Sequence, residues 1–254
     1  MKVLCRQWRG TVARPQNEIE HGRKLSRNDP ELIWGWGTPA GRIRARRRAA
    51  LIAEGARLGP HVRALEIGCG TGVFTEYFVK SGAHIVAVDI SSDLLEEARE
   101  RGLPEDRVQF IEKAFEECEV DGPFDAVIGS SILHHLDLAG SLPRIFSLLR
   151  PGGWMSFAEP NMLNPQIFFQ KNIPWLKERL GDSPDETAFV RHSLKRRLES
   201  SGFDRVAITP FDWLHPLTPA RVIHIVSKIG AFLEAAPLVR EFAGSLYIRC
   251  RRPA

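Results

Sequence analysis

A strand, a glycine-rich turn and a helix follow one another in the first third of the chain, and this unit restricts the fold more than any other feature. The apolar run Ala64 to Ile67 has the length of a buried strand, and an apolar helical pattern runs from Phe74 to Ser81. Between them stand Gly68, Gly70 and Gly72. Glycines at such a junction let the backbone approach a ligand and turn the helix N-terminus toward it. The unit predicts an α/β fold with a ligand at the end of the strand.

Strand and helix patterns continue to alternate after this unit. Alternation of this kind is typical of a parallel sheet covered by helices. We therefore predict an α/β fold with a doubly wound, mostly parallel seven-stranded sheet and helices on both faces. The further strands are expected at 84–89, 108–111, 124–128, 154–158, about 204–210 and 245–249, and the further helices at about 40–58, 94–101, 138–149 and 189–200.

Two parts of the chain lack this regularity and define the predicted domain organisation. Residues 1–39 are polar and broken by prolines and glycines, so we expect a poorly ordered or loosely docked arm. Residues 40–254 then form one domain, with cover insertions at about 160–188 and 211–244. Trp34 and Trp36 in the arm are expected either to close over a ligand or to dock the arm onto the domain.

The second cover contains a helical pattern whose apolar residues fall on one face. We expect this helix to dock over the mouth of the sheet, with a helix lying on a membrane surface as the alternative. The apolar residues are Val222, Ile225, Val226, Ile229, Phe232 and Leu233.

Composition limits the class of protein. The 254 residues are 43% hydrophobic and 26% charged, as is typical of a soluble enzyme or binding domain. We find neither a signal peptide nor the roughly 18 consecutive apolar residues of a membrane span, so we expect no exported or membrane-spanning segment. The cysteines have no zinc-type or disulfide-framework spacing, which predicts a reducing, cytoplasmic location. They are Cys5, Cys69, Cys118 and Cys250.

Positive charge is concentrated in residues 1–63, which we call the basic front of the chain. The first 63 residues hold 14 basic and 5 acidic side chains, whereas the rest holds 21 and 26. The five arginines between positions 42 and 48 begin a predicted helix, and we expect them to form its solvated face. A surface for an anionic partner, such as RNA or acidic lipid, is the alternative.

The spacing of the glycines separates the classes of nucleotide site. A dinucleotide-binding turn requires a small residue three positions after its second glycine, and Val73 stands there. A phosphate-binding loop would require Gly-Lys-Ser/Thr, which this turn lacks. Both observations argue against a nicotinamide or nucleoside-triphosphate site.

Four segments, in this order, resemble the motifs of class I S-adenosylmethionine (AdoMet)-dependent methyltransferases. Glu66 to Gly72 looks like the first motif, Val88 to Ile90 like the acidic end of the second strand, and Phe124 to Ile128 like the fourth strand. Leu149 to Trp154 looks like the turn before the fifth strand. The segment Ser130 to Leu136 is similar to the small-molecule branch that includes the ubiquinone and menaquinone biosynthesis methyltransferases.

The resemblance implies AdoMet as the cofactor and assigns residues to it. The loop that contains Gly68, Gly70 and Gly72, called the glycine loop from here on, would line the methionine end of AdoMet. Glu66 would orient the amino group of AdoMet. Asp89 would accept both ribose hydroxyls, Ile90 would border the adenine, and Ser130 would face the sulfonium. One departure from the family is Ala114, where an Asp often meets the adenine amine. The cofactor-binding residues expected are Glu66, Gly68, Cys69, Gly70, Gly72, Asp89, Ile90 and Ser130.

Methyl transfer from a sulfonium needs alignment more than acid–base chemistry, but a hydroxyl or carbon acceptor benefits from a base. His134 and His135 follow the fourth strand, and we predict His135 as the base, with packing or capping as the alternative role for a histidine here. We expect a small-molecule acceptor, on oxygen, nitrogen or carbon, and no metal. Neither the acceptor nor the oligomeric state follows from the residues.

Other classes remain as alternatives. An RNA or protein methyltransferase would use the basic front, but the Asn/Asp-Pro-Pro-Tyr/Phe sequence of base-methylating enzymes is missing after the fourth strand, which makes nucleic acid the less favoured partner. A non-catalytic AdoMet-binding module and an NAD-dependent oxidoreductase are the others. Turnover would separate a catalyst from the module, and preference for a nicotinamide cofactor would identify the oxidoreductase.

Overall fold

A computed structural model describes residues 14–180, 182 and 186–254. Its strands are β1 (Arg63–Ile67), β2 (His84–Asp89), β3 (Val108–Glu112), β4 (Phe124–Ser130), β5 (Leu149–Pro160), β6 (Asp204–Phe211) and β7 (Ser245–Arg251). They form one sheet in the order β3-β2-β1-β4-β5-β7-β6. The first five strands pair in parallel, and β7 runs antiparallel to both β5 and β6. The predicted seven-stranded, mostly parallel sheet is confirmed.

Helices connect the strands and cover both faces of the sheet. They are α1 (Arg14–Ser26), α2 (Pro30–Ile33), α3 (Pro39–Ala56), α4 (Val73–Val79), α5 (Ser92–Glu100), α6 (Leu138–Leu148), α7 (Pro165–Asn172), α8 (Pro174–Arg179), α9 (Arg191–Ser200) and α10 (Ile223–Ala235). Short 3-10 turns occupy Phe115–Glu117, Leu133–His135, Ala220–Val222 and Val239–Phe242. Among the described residues, no helix is long and apolar enough to cross a membrane.

Alternation along β1 divides the core into two layers. Leu65 and Ile67 point to one face of the sheet, where they pack with apolar residues of α6 and α9. Ala64 points to the other face, where α3 and α4 supply Ile52 and Phe78. The strand order reverses between β1 and β4, and in an open parallel sheet the crevice at such a point is where ligands bind.

The described part of the N-terminal arm is helical and docked, which differs from the loose arm that we predicted. Helix α1 lies against α5, and Gly22 makes this approach close: a Cβ at Gly22 would stand 2.4 Å from the Ser91 hydroxyl oxygen. Leu25 is buried, and the Thr38 hydroxyl donates to the Pro216 carbonyl at 2.7 Å. Packing and backbone contacts with distant residues therefore hold a segment whose composition alone suggested disorder.

Helix α10 is oriented differently from the prediction. Its buried residues are Ile223 and Gly230, with Val226 half-buried between them. Ile225, Ile229 and other members of the predicted apolar face point outward, because the side chain of Trp213 packs against Gly230 and fixes the opposite face to the domain. The expectation that this apolar face docks over the sheet is wrong.

Candidate active site

A cavity of about 500 Å³ opens at the carboxyl ends of β1, β2 and β4. This volume is within the range of pockets that hold small molecules and cofactors. Much of its wall is apolar, including aromatic side chains from the arm, α4 and the turn after β3. Of the residues predicted for the site, it is lined by Gly68, Cys69, Gly70, Asp89, Ile90, Ser130 and His135. The topology therefore brings together residues that are up to 67 positions apart in the chain.

The glycine loop holds conformations that favour glycine. Gly68 has a φ of +68° and Gly70 a φ of +52°, and a Cβ at Gly68 would stand 2.4 Å from Ile132. The Gly68 amide donates to the Val88 carbonyl at 2.8 Å, which keeps the loop close to β2. Gly72 starts α4 and packs against Ala98 and does not line the cavity, so its part is to form the turn.

Asp89 ends β2 with its carboxylate held by the glycine loop. Its Oδ2 accepts from the Gly70 amide at 2.7 Å, and its Oδ1 accepts from the Ser91 amide at 2.9 Å. Burial raises the pKa of Asp89, and these backbone hydrogen bonds oppose that rise. Each carboxylate oxygen has further acceptor capacity, so the group can receive a pair of neighbouring hydroxyls. Ile90 and Ala114 line the wall beside it.

Glu66 lies behind the loop and is not part of the cavity wall. Its side chain shares the face of β1 on which α3 and α4 pack, and the residue is 1% exposed. Burial raises the pKa of Glu66 to about 8, and the nearby hydroxyl of Thr75 opposes that rise. Its Oε2 has no hydrogen-bond partner among the described residues. A buried acceptor of this kind fits a ligand ammonium reached through the loop.

Arg48 is a functional candidate that the sequence prediction missed. It is 3% exposed, whereas we had expected a solvated face for the arginines of α3. Its guanidinium donates to the hydroxyls of Ser130 (3.3 Å), Ser131 (2.9 Å) and Ser245. All of these partners are neutral, and burial lowers the pKa of Arg48 to about 10. A buried cation without a bonded carboxylate is costly, and a ligand anion would offset that cost.

The helical spacing did contain a signal for Arg48. Ala45, Ala49, Ile52 and Ala56 are all buried on α3, and position 48 falls on the same face. Arg48 also lines a second, smaller cavity of about 260 Å³. Trp34, Trp36 and Ser131 line both this cavity and the main one. Arg48 is not part of the wall of the main cavity, but its partners Ser130 and Ser131 line that cavity.

The two tryptophans of the arm have different positions. Trp34 covers the glycine loop, because a Cβ on Gly70 would stand 3.4 Å from its ring. Trp36 packs edge-on against Phe74 of α4, with ring centroids 5.4 Å apart, and Arg48 lies 5.2 Å from its ring centre. Both tryptophans line the cavity, and Trp36 docks the arm onto α4, whereas closure over a ligand stays a prediction.

A buried hydrogen-bond network follows β4. Glu159 Oε1 accepts from the amides of Ile132 (3.0 Å) and Leu133 (2.9 Å), and its Oε2 lies 2.6 Å from Nδ1 of His134. On the other side, His134 Nε2 lies 3.4 Å from a carboxylate oxygen of Glu186. Burial alone would lower the pKa of His134, but the hydrogen bonds that its ring donates to the two carboxylates raise it to about 9. His134 is therefore a buried cation held between two carboxylates.

His135, the predicted base, lies on the cavity wall and packs against His134, with ring centroids 4.2 Å apart and ring planes tilted by 40°. Its Nδ1 is 3.0 Å from a carboxylate oxygen of Glu18 on α1. A carboxylate beside one ring nitrogen helps to orient a histidine ring. Glu18 could not be found from the sequence, because the arm showed no periodicity that would dock it there.

Ligand atoms of His134, His135 and Glu186 lie within 4.8 Å of one another, a spacing that can hold a metal ion. However, His134 already faces a carboxylate at each ring nitrogen, and the ammonium of Lys171 contacts Glu186. These contacts explain the cluster as an ion-pair network. The expectation of a metal-free site stays a prediction.

The site as a whole is complementary to a nucleoside linked to an amino acid. Asp89 suits vicinal hydroxyls, the unpartnered oxygen of Glu66 suits an ammonium, and Arg48 suits a carboxylate. The apolar wall near Ile90 and Phe115 suits a planar base. AdoMet carries all four groups, so the residues present fit this cofactor.

Comparison with known proteins supports the same conclusion. A family model described as a methyltransferase domain matches residues 64–153. Over 182 residues the chain is 30% identical to the ubiquinone biosynthesis O-methyltransferase of Methylococcus capsulatus, which covers 68% of this chain and 75% of that enzyme. The corresponding enzyme of Xylella fastidiosa is 36% identical over 97 residues, which are 36% of this chain but only 39% of that enzyme.

The fold is also found among solved structures. The N-methyltransferase NodS of Bradyrhizobium japonicum, in complex with S-adenosylhomocysteine, superposes with a TM-score of 0.64 over 94% of this chain and 100% of that one, at 16% identity. At this low sequence identity the structural match shows the fold alone. Together with the Methylococcus relative and the glycine-loop geometry, it leads to one assignment: the chain belongs to the class I AdoMet-dependent methyltransferases.

Proposed function

We propose that this protein transfers the methyl group of AdoMet to a hydroxyl oxygen of a small, largely apolar acceptor. The observation that carries the proposal is the position of His135, with Glu18 beside it, on the wall of the cavity that also contains Asp89 and Ser130. Relatives named as O-methyltransferases support oxygen as the methylated atom. The apolar wall supports an acceptor with little charge.

The cofactor would be held by groups already described. Asp89 would bind the ribose hydroxyls, Arg48 the carboxylate, and Glu66, through the loop, the ammonium of the methionine end. Ile90 and the backbone near Ala114 would border the adenine. When bound, AdoMet supplies a methyl group that its sulfonium has already activated for displacement.

The chain's own residues would then align the acceptor and take its proton. Ser130 and the loop after β4 would place the acceptor oxygen against the methyl group, and His135 would accept the hydroxyl proton as the new bond forms. Trp34 and α1 cover the cavity and would exclude water from the reacting atoms.

A nucleic-acid substrate is less well supported. Three arginines of the basic front are engaged within the domain: Arg44 pairs with Asp212, Arg47 pairs with Glu234, and Arg48 is buried. A small-molecule acceptor is therefore the better proposal. We also propose a cytoplasmic location, which the free thiols of Cys69, Cys118 and Cys250 support.

Replacing Asp89 with alanine tests the cofactor assignment. We expect the variant to bind S-adenosylhomocysteine at least about 100-fold more weakly, because two hydrogen bonds to a charged acceptor are lost at about 1.5–3 kcal/mol each. The measurement is isothermal titration of the purified protein. Asp106→Ala, at a side chain that is 76% exposed, is the matched control and should bind like the wild type.

Asp89 also holds the glycine loop, so Asp89→Asn is needed as a second variant. It keeps one acceptor oxygen for the loop and is expected to retain the unliganded unfolding midpoint more closely than alanine. Unchanged affinity in a folded Asp89→Ala protein would contradict the cofactor site. Methyl transfer to no member of a panel of phenols and catechols would count against the acceptor class alone.

Replacing Arg48 with methionine tests its predicted contact with the cofactor carboxylate. We expect the affinity for S-adenosylhomocysteine to fall about 10- to 100-fold, because a charged hydrogen bond contributes about 1.5–3 kcal/mol. Adenosine, which lacks the carboxylate, should bind equally well to both proteins. Arg46→Met, at an exposed position of the same helix, is the control. Equal losses for both ligands would show that Arg48 acts only through the fold.

A further inference from the structure

Exposed apolar side chains are concentrated in the two cover segments. Among the described residues, all the large exposed hydrophobics except Leu32, Ile33 and Ile43 lie between 160 and 188 or between 211 and 244. Single exposed apolar residues are ordinary on a protein surface, but a concentration of them marks an interaction site. The covers therefore present a surface that the rest of the domain does not.

Helix α10 carries the centre of this surface. Ile225, Ile229 and Phe232 are 59%, 53% and 75% exposed, and their spacing of four and three places them on one stripe. The opposite side of the helix is occupied by Ile223 and Gly230, which are buried against the domain. A helix that is apolar on both sides is normally buried on both sides, so we expect the outer stripe to contact a binding partner.

Basic residues lie within the same stripe. Arg221 and Lys228 precede Ile225 and Phe232 by four positions each, and both are exposed. Neither has a carboxylate partner among the described residues. The acidic side chains of this cover are already engaged: Asp212 pairs with Arg44, Glu234 with Arg47 and Glu241 with Arg191. The surface is therefore apolar and positively charged.

The stripe continues into the turn after α10 and toward the first cover. Leu238 and Phe242 are 83% and 48% exposed. The Asn164 side chain donates to the Phe242 carbonyl at 2.9 Å, which ties the start of α7 to this turn. Helices α7 and α8 of the first cover also carry exposed aromatic side chains, among them Phe169 and Trp175. Exposed tryptophan, aliphatic and basic residues together are the composition of a membrane-interface surface.

We propose that this surface, formed by Arg221, Ile225, Lys228, Ile229, Phe232, Leu238 and Phe242, docks onto an anionic phospholipid bilayer. The apolar side chains would enter the headgroup boundary, and the two cations would meet anionic headgroups. A second copy of the chain fits less well. A two-fold contact would bring the same stripe, with Arg221 and Lys228, against itself without a free carboxylate to pair with them.

The proposal concerns attachment and stands without the methyl-transfer reaction, although the two are linked in space. Leu180 and Lys171 of the first cover line the main cavity, and the hydrogen bond from Asn164 to the Phe242 carbonyl joins that cover to the proposed surface.

The test is sedimentation of the full chain with lipid vesicles. One set is pure phosphatidylcholine, and the other contains one third phosphatidylglycerol. We expect binding to the anionic vesicles that weakens as salt increases. Arg221→Gln with Lys228→Gln should reduce the partition coefficient about 30-fold, since each cation near an anionic surface contributes about 1 kcal/mol. Ile229→Glu should reduce it at least tenfold.

Leu32→Glu is the matched control. The exposed fraction of Leu32 is 54%, nearly the same as the 53% of Ile229, but Leu32 lies on α2, outside the proposed surface. It should bind vesicles like the wild type, and the circular dichroism spectrum of each variant reports its folding. The proposal is overturned if the wild type binds neither vesicle type, or if Leu32→Glu loses binding as much as Ile229→Glu. A concentration-dependent dimer that Ile229→Glu dissociates would assign the surface to a second copy instead.

Discussion

Replacing Glu159 with alanine is expected to lower the free energy of unfolding by about 3–5 kcal/mol, which is the cost of removing one partner from a buried ion pair. Glu159 is 0% exposed and bonds His134 and two backbone amides of the loop after β4. Its removal leaves a buried cation and two buried amides without that carboxylate. Urea denaturation followed by tryptophan fluorescence measures the change.

Two variants define the cause of this loss. Glu159→Gln keeps an oxygen for the amides of Ile132 and Leu133 but removes the charge, so it should cost less than alanine. Glu105→Ala, at an exposed position, should change stability by no more than about 0.5 kcal/mol. If Glu159→Ala were as stable as Glu105→Ala, the network would have no structural role.

The same network predicts how stability depends on pH. The pKa of His134 is raised to about 9 from an ordinary value near 6.5, so its contribution is fully present below about pH 6.5 and disappears as pH rises through 9. The raised pKa of Glu66, about 8, also makes the free energy of unfolding fall as pH rises. That decrease is largely complete above pH 8, so it contributes little at higher pH. The loss between pH 8 and 9.5 should therefore be present in the wild type and reduced in Glu159→Gln.

Replacing His135 with alanine is expected to lower the rate of methyl transfer by about 10²- to 10⁴-fold, the usual contribution of a general base. The affinity for S-adenosylhomocysteine should change little, because the proposed cofactor contacts are made by Asp89, Arg48 and Glu66. The assay follows transfer of a labelled methyl group to a phenol or catechol that the wild type accepts. Glu18→Gln should show a smaller loss, since it removes only the group that orients the ring.

Acidity of the acceptor distinguishes a base from a packing residue. A dinitro-substituted phenol is already ionised at neutral pH, so His135→Ala should slow its methylation much less than that of the parent phenol. His192→Ala, at an exposed histidine, is the control and should leave both rates unchanged. Equal losses for the two acceptors would contradict proton transfer to His135 and leave it a positioning role.

Local patterns in the sequence predicted the sheet and the glycine loop for a physical reason. The strands are short apolar runs, and the turn at Gly68 and Gly70 requires backbone conformations that glycine adopts readily. These requirements act over a few neighbouring residues, so they can be read without knowing the rest of the fold. The position of Asp89 beside this loop agrees with the ends of adjacent parallel strands meeting at one edge of the sheet, whereas its role toward AdoMet was implied by the family resemblance.

Contacts between distant residues could not be read in this way. Arg48 was expected in solvent, but Ser130, Ser131 and Ser245 surround it only when β4 and β7 are assembled. Glu18 reaches His135 because Gly22 lets α1 lie close to α5, a contact that no pattern in the arm indicated.

Helix α10 shows the same division most clearly. Its sequence determined that it is helical and apolar, and periodicity alone placed most of its apolar residues on one face. Which side faces the domain was decided by Trp213 packing on Gly230, a contact between two segments of the folded chain. The sequence thus determined the elements, the glycine loop and the carboxylate beside it. The tertiary structure decided which charges are buried and which apolar side chains face outward, because burial depends on neighbours that only the assembled fold supplies.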